Sequence, residues 1–142
     1  MKEACVQRPI VRSRIILSRK AVPATADDLP LARDLVDTLV ANRVTCAGMA
    51  ANMIGQSKAI IAFFDAQGRP QVMLNPRITG TSGPYQTEEG CLSLEGVRPA
   101  TRYRRITVAW QDQDLKEHVG TYQGFVAQVI QHECDHLRGV VI

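Results

Sequence analysis

The first regular pattern in the chain is an apolar stripe at helical spacing. Leu31, Leu35 and Leu39 recur every four residues, so their side chains share one face of a helix. The aspartate pair at 27–28 can cap the first turn, and Pro30 suits that turn because its missing N–H needs no partner there. This pattern predicts a helix that begins near residue 28 and packs its stripe into the core.

The next pattern is typical of a β-hairpin. Residues 58–64 are rich in β-branched and aromatic side chains, the turn-forming segment 65–68 follows, and residues 71–74 are again suited to a strand. Asn75 and Pro76 come directly afterwards, and proline cannot donate to a strand ladder. We therefore expect two antiparallel strands, the second of which ends at this dipeptide.

A second strand pair is indicated further along the chain. In residues 104–110, Ile106 and Val108 alternate with more polar neighbours, which is the period of a half-buried strand. The polar segment 112–114 predicts a turn, and residues 117–122 then predict a returning strand.

The C-terminal segment 125–137 again has helical periodicity, and Gly139 predicts where this helix ends. Glu133 and His136 lie inside its apolar arc, and His132 lies at the edge of the arc. The opposite face carries Gln128, Gln131, Asp135 and Arg138, so we expect the helix to direct the potential ligands into the core. The elements together predict an α+β fold of antiparallel strands packed around this central helix, in one domain over residues 1–142.

Composition narrows the class of protein. Of the 142 residues, 45% are hydrophobic and 22% are charged, and no apolar run reaches the ~20 residues that span a bilayer, so we expect no membrane association. The net charge of +3 is mild, and the basic cluster at 102–105 is typical of the solvated face of a strand rather than of a nucleic-acid site. Without an export signal the expected compartment is the cytoplasm, where the four cysteines would be reduced.

The predicted helix 125–137 contains a pattern of residues that is typical of a catalytic metal site. His132 and His136 are four residues apart and point the same way from a helix, which is a spacing of metal ligands. Glu133 directly follows the first histidine, where hydrolytic metal sites place a general base that does not itself bind the metal. The alternative, solvated side chains on an ordinary helix, is disfavoured because this face is apolar.

A catalytic site of this kind needs a third protein ligand. Only six residues follow His136, so the ligand must come from upstream, and the candidates considered are His118, Cys5 and Cys91. His118 lies in a polar segment and Cys5 in an N-terminal arm. Cys91 is favoured because Gly90 beside it permits close backbone approach.

Three segments resemble motifs of the peptide deformylases, in the order of that family: residues 48–51, 89–93 and 131–137. The resemblance implies an enzyme that removes the formyl group from the N-terminal methionine of newly made peptides and releases formate. It identifies Cys91, His132 and His136 as ligands of one divalent metal ion, with ferrous iron favoured in the cell and zinc, nickel or cobalt as alternatives. Glu133 would be the general base.

The same resemblance implies how the peptide is held. The backbone N–H of Leu92 would bind the oxyanion, and Ala47, Gly48 and Gly90 would pair with the main chain of an N-formylmethionyl peptide. Two residues would line the methionine pocket, namely Phe125 and Val129. We expect a monomer or a weak homodimer; contact with the ribosome is left open, because the C-terminal element of many members would lie beyond Ile142.

The family's first motif corresponds to positions 46–53 of this chain, and the sequence departs from it at two of them. Cys46 replaces a glycine, and Met53 stands where the family has a glutamine whose amide steadies the oxyanion. Loss of one such donor can lower the rate about 10²–10³-fold unless another amide, from Asn52 or Gln56, takes its place. Two alternatives to a deformylase therefore stay open. One is a weak or inactive relative that binds metal and peptide N-termini, and the other is a hydrolase of a different N-acyl or amide substrate.

Overall fold

The computed structural model describes residue 10 and residues 14–91 and 94–140, without the side chains of residues 14, 15, 91, 94 and 95. Three α-helices and five strands occur in these ranges: α1 (Arg14–Leu17), α2 (Leu29–Ala41), β1 (Gly48–Ala50), β2 (Ile60–Phe64), β3 (Pro70–Cys91), β4 (Leu94–Gln111), β5 (Glu117–Gln123) and α3 (Gly124–Leu137). Within this part of the chain, no helix has both the length and the apolar character needed to cross a membrane.

The five strands form one sheet in sequence order, and every neighbouring pair is antiparallel. The predicted hairpin is confirmed as β2 and β3, with Ile60 opposite Leu74. The predicted strand end at Asn75 and Pro76 is wrong, because β3 shifts register after Leu74 and continues. Asn75 has a φ of 52°, and its side-chain amide bonds both backbone groups of Ala24, at 2.8 and 3.0 Å, which holds the irregular turn inside the strand.

The two long helices cover opposite faces of the sheet. Ile60 and Ala62 of β2 pack with the buried stripe of α2, whereas Ile61 and Phe63 pack with α3. Successive side chains of a strand point to opposite faces, so a strand covered on both sides must be apolar throughout. This explains the unbroken apolar sequence of β2 and confirms the core helix that the leucine stripe predicted.

The helix α3 ends close to the predicted position, with Gly139 at a φ of 78° just beyond it. Two polar residues of the face opposite the apolar arc are buried, since Gln131 and Asp135 are only 4% and 6% exposed. Gln131 pairs its side-chain amide with the backbone N–H and C=O of Tyr103, at 2.8 and 2.9 Å, and so continues the hydrogen bonding of β4 onto the helix. Polar residues are buried here because the sheet supplies their partners.

Candidate metal centre and active site

The two histidines of α3 converge on one point. Their Nε2 atoms lie 3.1 Å apart, and both side chains are buried. Burial, together with the neighbouring His132, lowers the pKa of His136 to about 4. At neutral pH, His136 is therefore neutral and directs a ring nitrogen at its neighbour.

The imidazole of His132 is oriented by a carboxylate from the sheet. Nδ1 of His132 lies 2.9 Å from Oε1 of Glu89, near the end of β3. Burial opposes ionisation of Glu89, but hydrogen bonds from His132 and Arg102 outweigh it and lower its pKa to about 2. Because an ionised carboxylate only accepts, Nδ1 of His132 donates, and Nε2 keeps its lone pair for a ligand.

Arg102 links the carboxylate of Glu89 to Asp135 of α3. Its guanidinium donates to Glu89, with Nη2 2.6 Å from Oε1, and to Asp135, with Nη1 2.7 Å from Oδ2. Asp135 also pairs with Arg138. Arg102 is only 4% exposed, so the prediction that residues 102–105 form a solvated face is wrong at this position. The reason is that two buried carboxylates compensate its charge.

Glu133 lies in the same region and is 4% exposed. Its Oε1 has no hydrogen-bond partner among the described residues. Burial raises the pKa of this carboxyl to about 7. A carboxyl with a pKa near neutrality can both accept and release a proton, which is the property of a general base and acid.

Glu89, His132 and Glu133 open onto a cavity of about 260 Å³. Gly48 is tightly enclosed there, since a Cβ at this position would lie 2.6 Å from Cγ1 of Val129 and 3.1 Å from Oε2 of Glu133. Only glycine allows β1 to approach α3 so closely. The predicted substrate-binding residues all lie on the cavity wall: Ala47, Gly48, Gly90, Phe125 and Val129.

A sequence model of the polypeptide deformylases matches residues 6–142. The chain belongs to the polypeptide deformylase family. Members of this family are metal-dependent hydrolases that remove the N-formyl group from newly made polypeptides. The resemblance of the three motifs is therefore confirmed at the level of the family.

Individual relatives agree with this assignment. A peptide deformylase from Clostridium beijerinckii is 44% identical over 136 residues, covering 95% of this chain and 98% of that protein. The crystal structure of peptide deformylase from Thermus thermophilus has a TM-score of 0.83 at 33% identity, covering 96% of this chain and 83% of that one. The Met-Ala-Ser-bound class I type b peptide deformylase from Acinetobacter baumannii has a TM-score of 0.84 at 27% identity, covering 97% of both chains. The predicted α+β fold is thus confirmed as that of the deformylases.

The two histidines of α3 fit two ligand positions of the metal ion on which this family depends, and no group of three or more His, Cys, Asp or Glu side chains that could hold an ion occurs among the described residues. Two nitrogens that each lie 2.0–2.1 Å from a shared tetrahedral ion are about 3.4 Å apart, which is close to the 3.1 Å between the two Nε2 atoms. Cys91 is the last residue of β3, two residues beyond Glu89, but its side chain lies outside the described residues. Leu92 lies outside them as well. The roles of Cys91 and Leu92 therefore stay predictions.

The departure from the family at Met53 has a clear structural counterpart. Met53 is buried on the cavity wall, and its Sδ accepts the backbone N–H of Ala50 at 3.4 Å. The amide of Asn52 does not replace the missing donor, because it binds the backbone oxygens of His136 and Leu17, at 3.0 and 3.3 Å. Gln56 is exposed beyond the 3-10 helix Ala51–Ile54. Neither alternative donor that the sequence suggested supplies an amide to the cavity in this structure.

Sequence reasoning missed four residues of the site. It gave no role to Glu89, Gln128 or Asp135, and it treated Arg102 as solvated. Their contacts with one another span 13 to 39 residues of sequence, so no local spacing reveals them. The one available signal is that Glu89 immediately precedes Gly90 and Cys91 in the second motif.

Proposed function

We propose that this chain hydrolyses the N-formyl group of the N-terminal methionine of newly made polypeptides and releases formate. The observation that carries the proposal is the convergence of His132 Nε2 and His136 Nε2, 3.1 Å apart, beside the cavity that Glu133 also lines. Residues 1–142 would act as one deformylase-like domain. The substrate class implies action in the cytoplasm, where polypeptides are made.

The metal ligands in this proposal are His132, His136 and Cys91. One thiolate and two imidazoles suit ferrous iron, zinc, nickel or cobalt, and we favour ferrous iron as the cellular metal. When bound, a divalent ion would acidify a water molecule and polarise the formyl oxygen. Glu89 supports this site by holding the Nδ1–H of His132, since such a bond fixes the ring and raises the basicity of its other nitrogen.

Glu133 carries the proton in this reaction. Its buried carboxylate accepts a proton from the attacking water as the oxygen of that water bonds to the formyl carbon. The carbon–nitrogen bond then breaks, formate leaves, and Glu133 returns the proton to the nitrogen of the departing peptide. A carboxyl whose pKa is raised to about 7 is suited to both transfers near neutral pH.

The peptide would bind as an additional strand. β1 is the terminal strand of the sheet, so one of its edges is not used by β2. Ala47, Gly48 and Gly90 line the cavity beside this edge and would pair with the peptide main chain. Main-chain pairing depends little on side chains, which suits a substrate defined mainly by its first residue. The Met-Ala-Ser-bound Acinetobacter baumannii structure supports a tripeptide ligand for this class of site.

The test is release of formate from formyl-Met-Ala-Ser by protein prepared anaerobically with ferrous iron. Wild type should release formate and Met-Ala-Ser in equal amounts, and Glu133→Ala should release neither. A wild-type protein that binds Met-Ala-Ser without hydrolysing the formylated peptide would instead support a non-catalytic binding role. Hydrolysis of another N-acyl peptide in preference to the formylated one would support the remaining alternative.

A further inference from the structure

Gln128 lies on the wall of the same cavity, one helical turn before His132, and the proposed mechanism does not use it. The residue is half-buried. Its Nε2 donates to Oε2 of Glu89 at 2.8 Å. No other hydrogen bond of Gln128 is found among the described residues.

The orientation of this amide follows from its partner. Glu89 is paired with the guanidinium of Arg102, so its carboxylate accepts hydrogen bonds and the amide nitrogen, not the oxygen, must face it. A primary amide carries two N–H hydrogens, and Glu89 engages one of them. The second is left for a group that enters the cavity.

The cavity offers such a group in the proposed substrate. Phe125, Val129 and Met53 make much of its wall apolar, which suits the side chain of an N-terminal methionine. The thioether sulfur is the only atom of that side chain able to accept a hydrogen bond, and it is a weak acceptor. The chain already contains such a bond at the same cavity, from the N–H of Ala50 to the sulfur of Met53 at 3.4 Å.

We propose that Gln128 is a specificity-determining residue that donates its second amide N–H to the thioether sulfur of the substrate's N-terminal methionine. Gln128 thereby distinguishes methionine from norleucine, which has the same length but a methylene in place of the sulfur. The inference rests on the proposed function, because it takes the cavity as the site of the methionine side chain. It adds that this cavity recognises the sulfur as well as the apolar surface.

The experiment compares kcat/KM for formyl-Met-Ala-Ser and formyl-norleucyl-Ala-Ser, measured as formate release. Wild type should prefer the methionine peptide about fivefold, as expected for one weak hydrogen bond whose loss leaves a donor unpaired. Gln128→Met keeps an unbranched side chain of similar length but has no N–H. Its preference should fall to about one.

A matched control distinguishes recognition from structural support. Gln71 of β3 is exposed and donates its side-chain amide to Oδ2 of Asp65 at 3.0 Å, so Gln71→Met loses a comparable bond away from the cavity. It should keep the wild-type preference. If Gln128 acted only by supporting Glu89 and His132, Gln128→Met would lower kcat/KM equally for both peptides, the ratio would not change, and the proposal would be overturned.

Binding of the two products separates this inference from the proposed function. Calorimetry with Met-Ala-Ser and norleucyl-Ala-Ser on the metal-loaded protein needs no turnover. Tighter binding of Met-Ala-Ser to wild type, abolished in Gln128→Met, would support the role of Gln128 even if neither formylated peptide were hydrolysed. Hydrolysis of both peptides at equal rates would overturn the role of Gln128 and leave the deformylase function intact. Equal binding of the two products, or binding of neither, would also overturn it.

Discussion

Oε1 of Glu89 lies 2.9 Å from Nδ1 of His132, although 43 residues separate them in sequence. This bond connects the long β3–β4 hairpin to the helix that carries the proposed metal ligands. Arg102 extends the connection by binding both Glu89 and Asp135. The geometry of the candidate metal centre therefore depends on an ion network between the sheet and the helix.

Removal of the cation from this network should destabilise the protein. Arg102→Met would leave the buried carboxylates of Glu89 and Asp135 without their shared partner, and we expect the free energy of unfolding to fall by about 3–5 kcal/mol. Urea denaturation of the zinc-loaded protein measures this change. Arg104→Met is the matched control, because Arg104 is exposed and lies over the ring of Tyr85, and it should cost less than about 1 kcal/mol. Equal losses in the two variants would contradict the importance assigned to the network.

The metal content should depend on Cys91. We expect wild type to hold one divalent ion per chain, and Cys91→Ser to bind it much more weakly, because a hydroxyl is a poorer ligand than a thiolate for these metals. Metal analysis after dialysis against a weak chelator checks the prediction. Cys134→Ser serves as the control, since Cys134 lies on the same helix as the two histidines but lines a different cavity, and it should retain the ion. Full occupancy and affinity in Cys91→Ser would rule out the proposed ligand set.

Glu133 should be needed for hydrolysis but not for metal binding. Glu133→Ala removes a buried carboxyl whose Oε1 has no partner among the described residues, so we expect a folded, metal-loaded protein without activity. Formate release and metal analysis on one preparation test both halves of the prediction. Activity equal to that of wild type would refute the proposed base.

The buried methionine of the first motif provides a test by gain of activity. Met53→Gln places an amide donor on the cavity wall. We expect kcat/KM for formyl-methionyl peptides to rise roughly tenfold or more, because the added donor would stabilise the oxyanion although its position would not be ideal. Met53→Leu, which also removes the sulfur but adds no donor, should show no gain. If Met53→Gln brings no increase while its metal content is normal, this loop does not contribute to oxyanion binding.

Asn52 should behave differently from its neighbour. Its amide holds the backbone oxygens of His136 and Leu17, so Asn52→Ala is expected to lower the free energy of unfolding by about 1–3 kcal/mol. Urea denaturation would detect the loss. If Asn52→Ala left the stability unchanged and lowered only kcat, Asn52 would instead be the oxyanion donor that the sequence suggested.

Much of the fold could be predicted because its signals are local. The spacing of Leu31, Leu35 and Leu39 predicts a helix with one buried face. The unbroken apolar sequence of β2 is typical of a strand that is covered on both faces. The end of β3 was predicted wrongly because Asn75 and Pro76 are typical of a strand terminus. The strand continues because Asn75 is held by hydrogen bonding to Ala24, which lies 51 residues away in the sequence.

For the candidate site, the sequence was enough to place His132, Glu133 and His136 on neighbouring positions of one helix surface, since helical geometry fixes the positions of residues one and four apart. The folded chain was needed to show that Glu89 orients His132, that Arg102 is buried and that Gln128 lines the cavity. These relationships depend on the register of β3 with β4 and on how closely the sheet approaches α3. Register and approach are set by the packing of many side chains at once, and no short segment of the sequence specifies them.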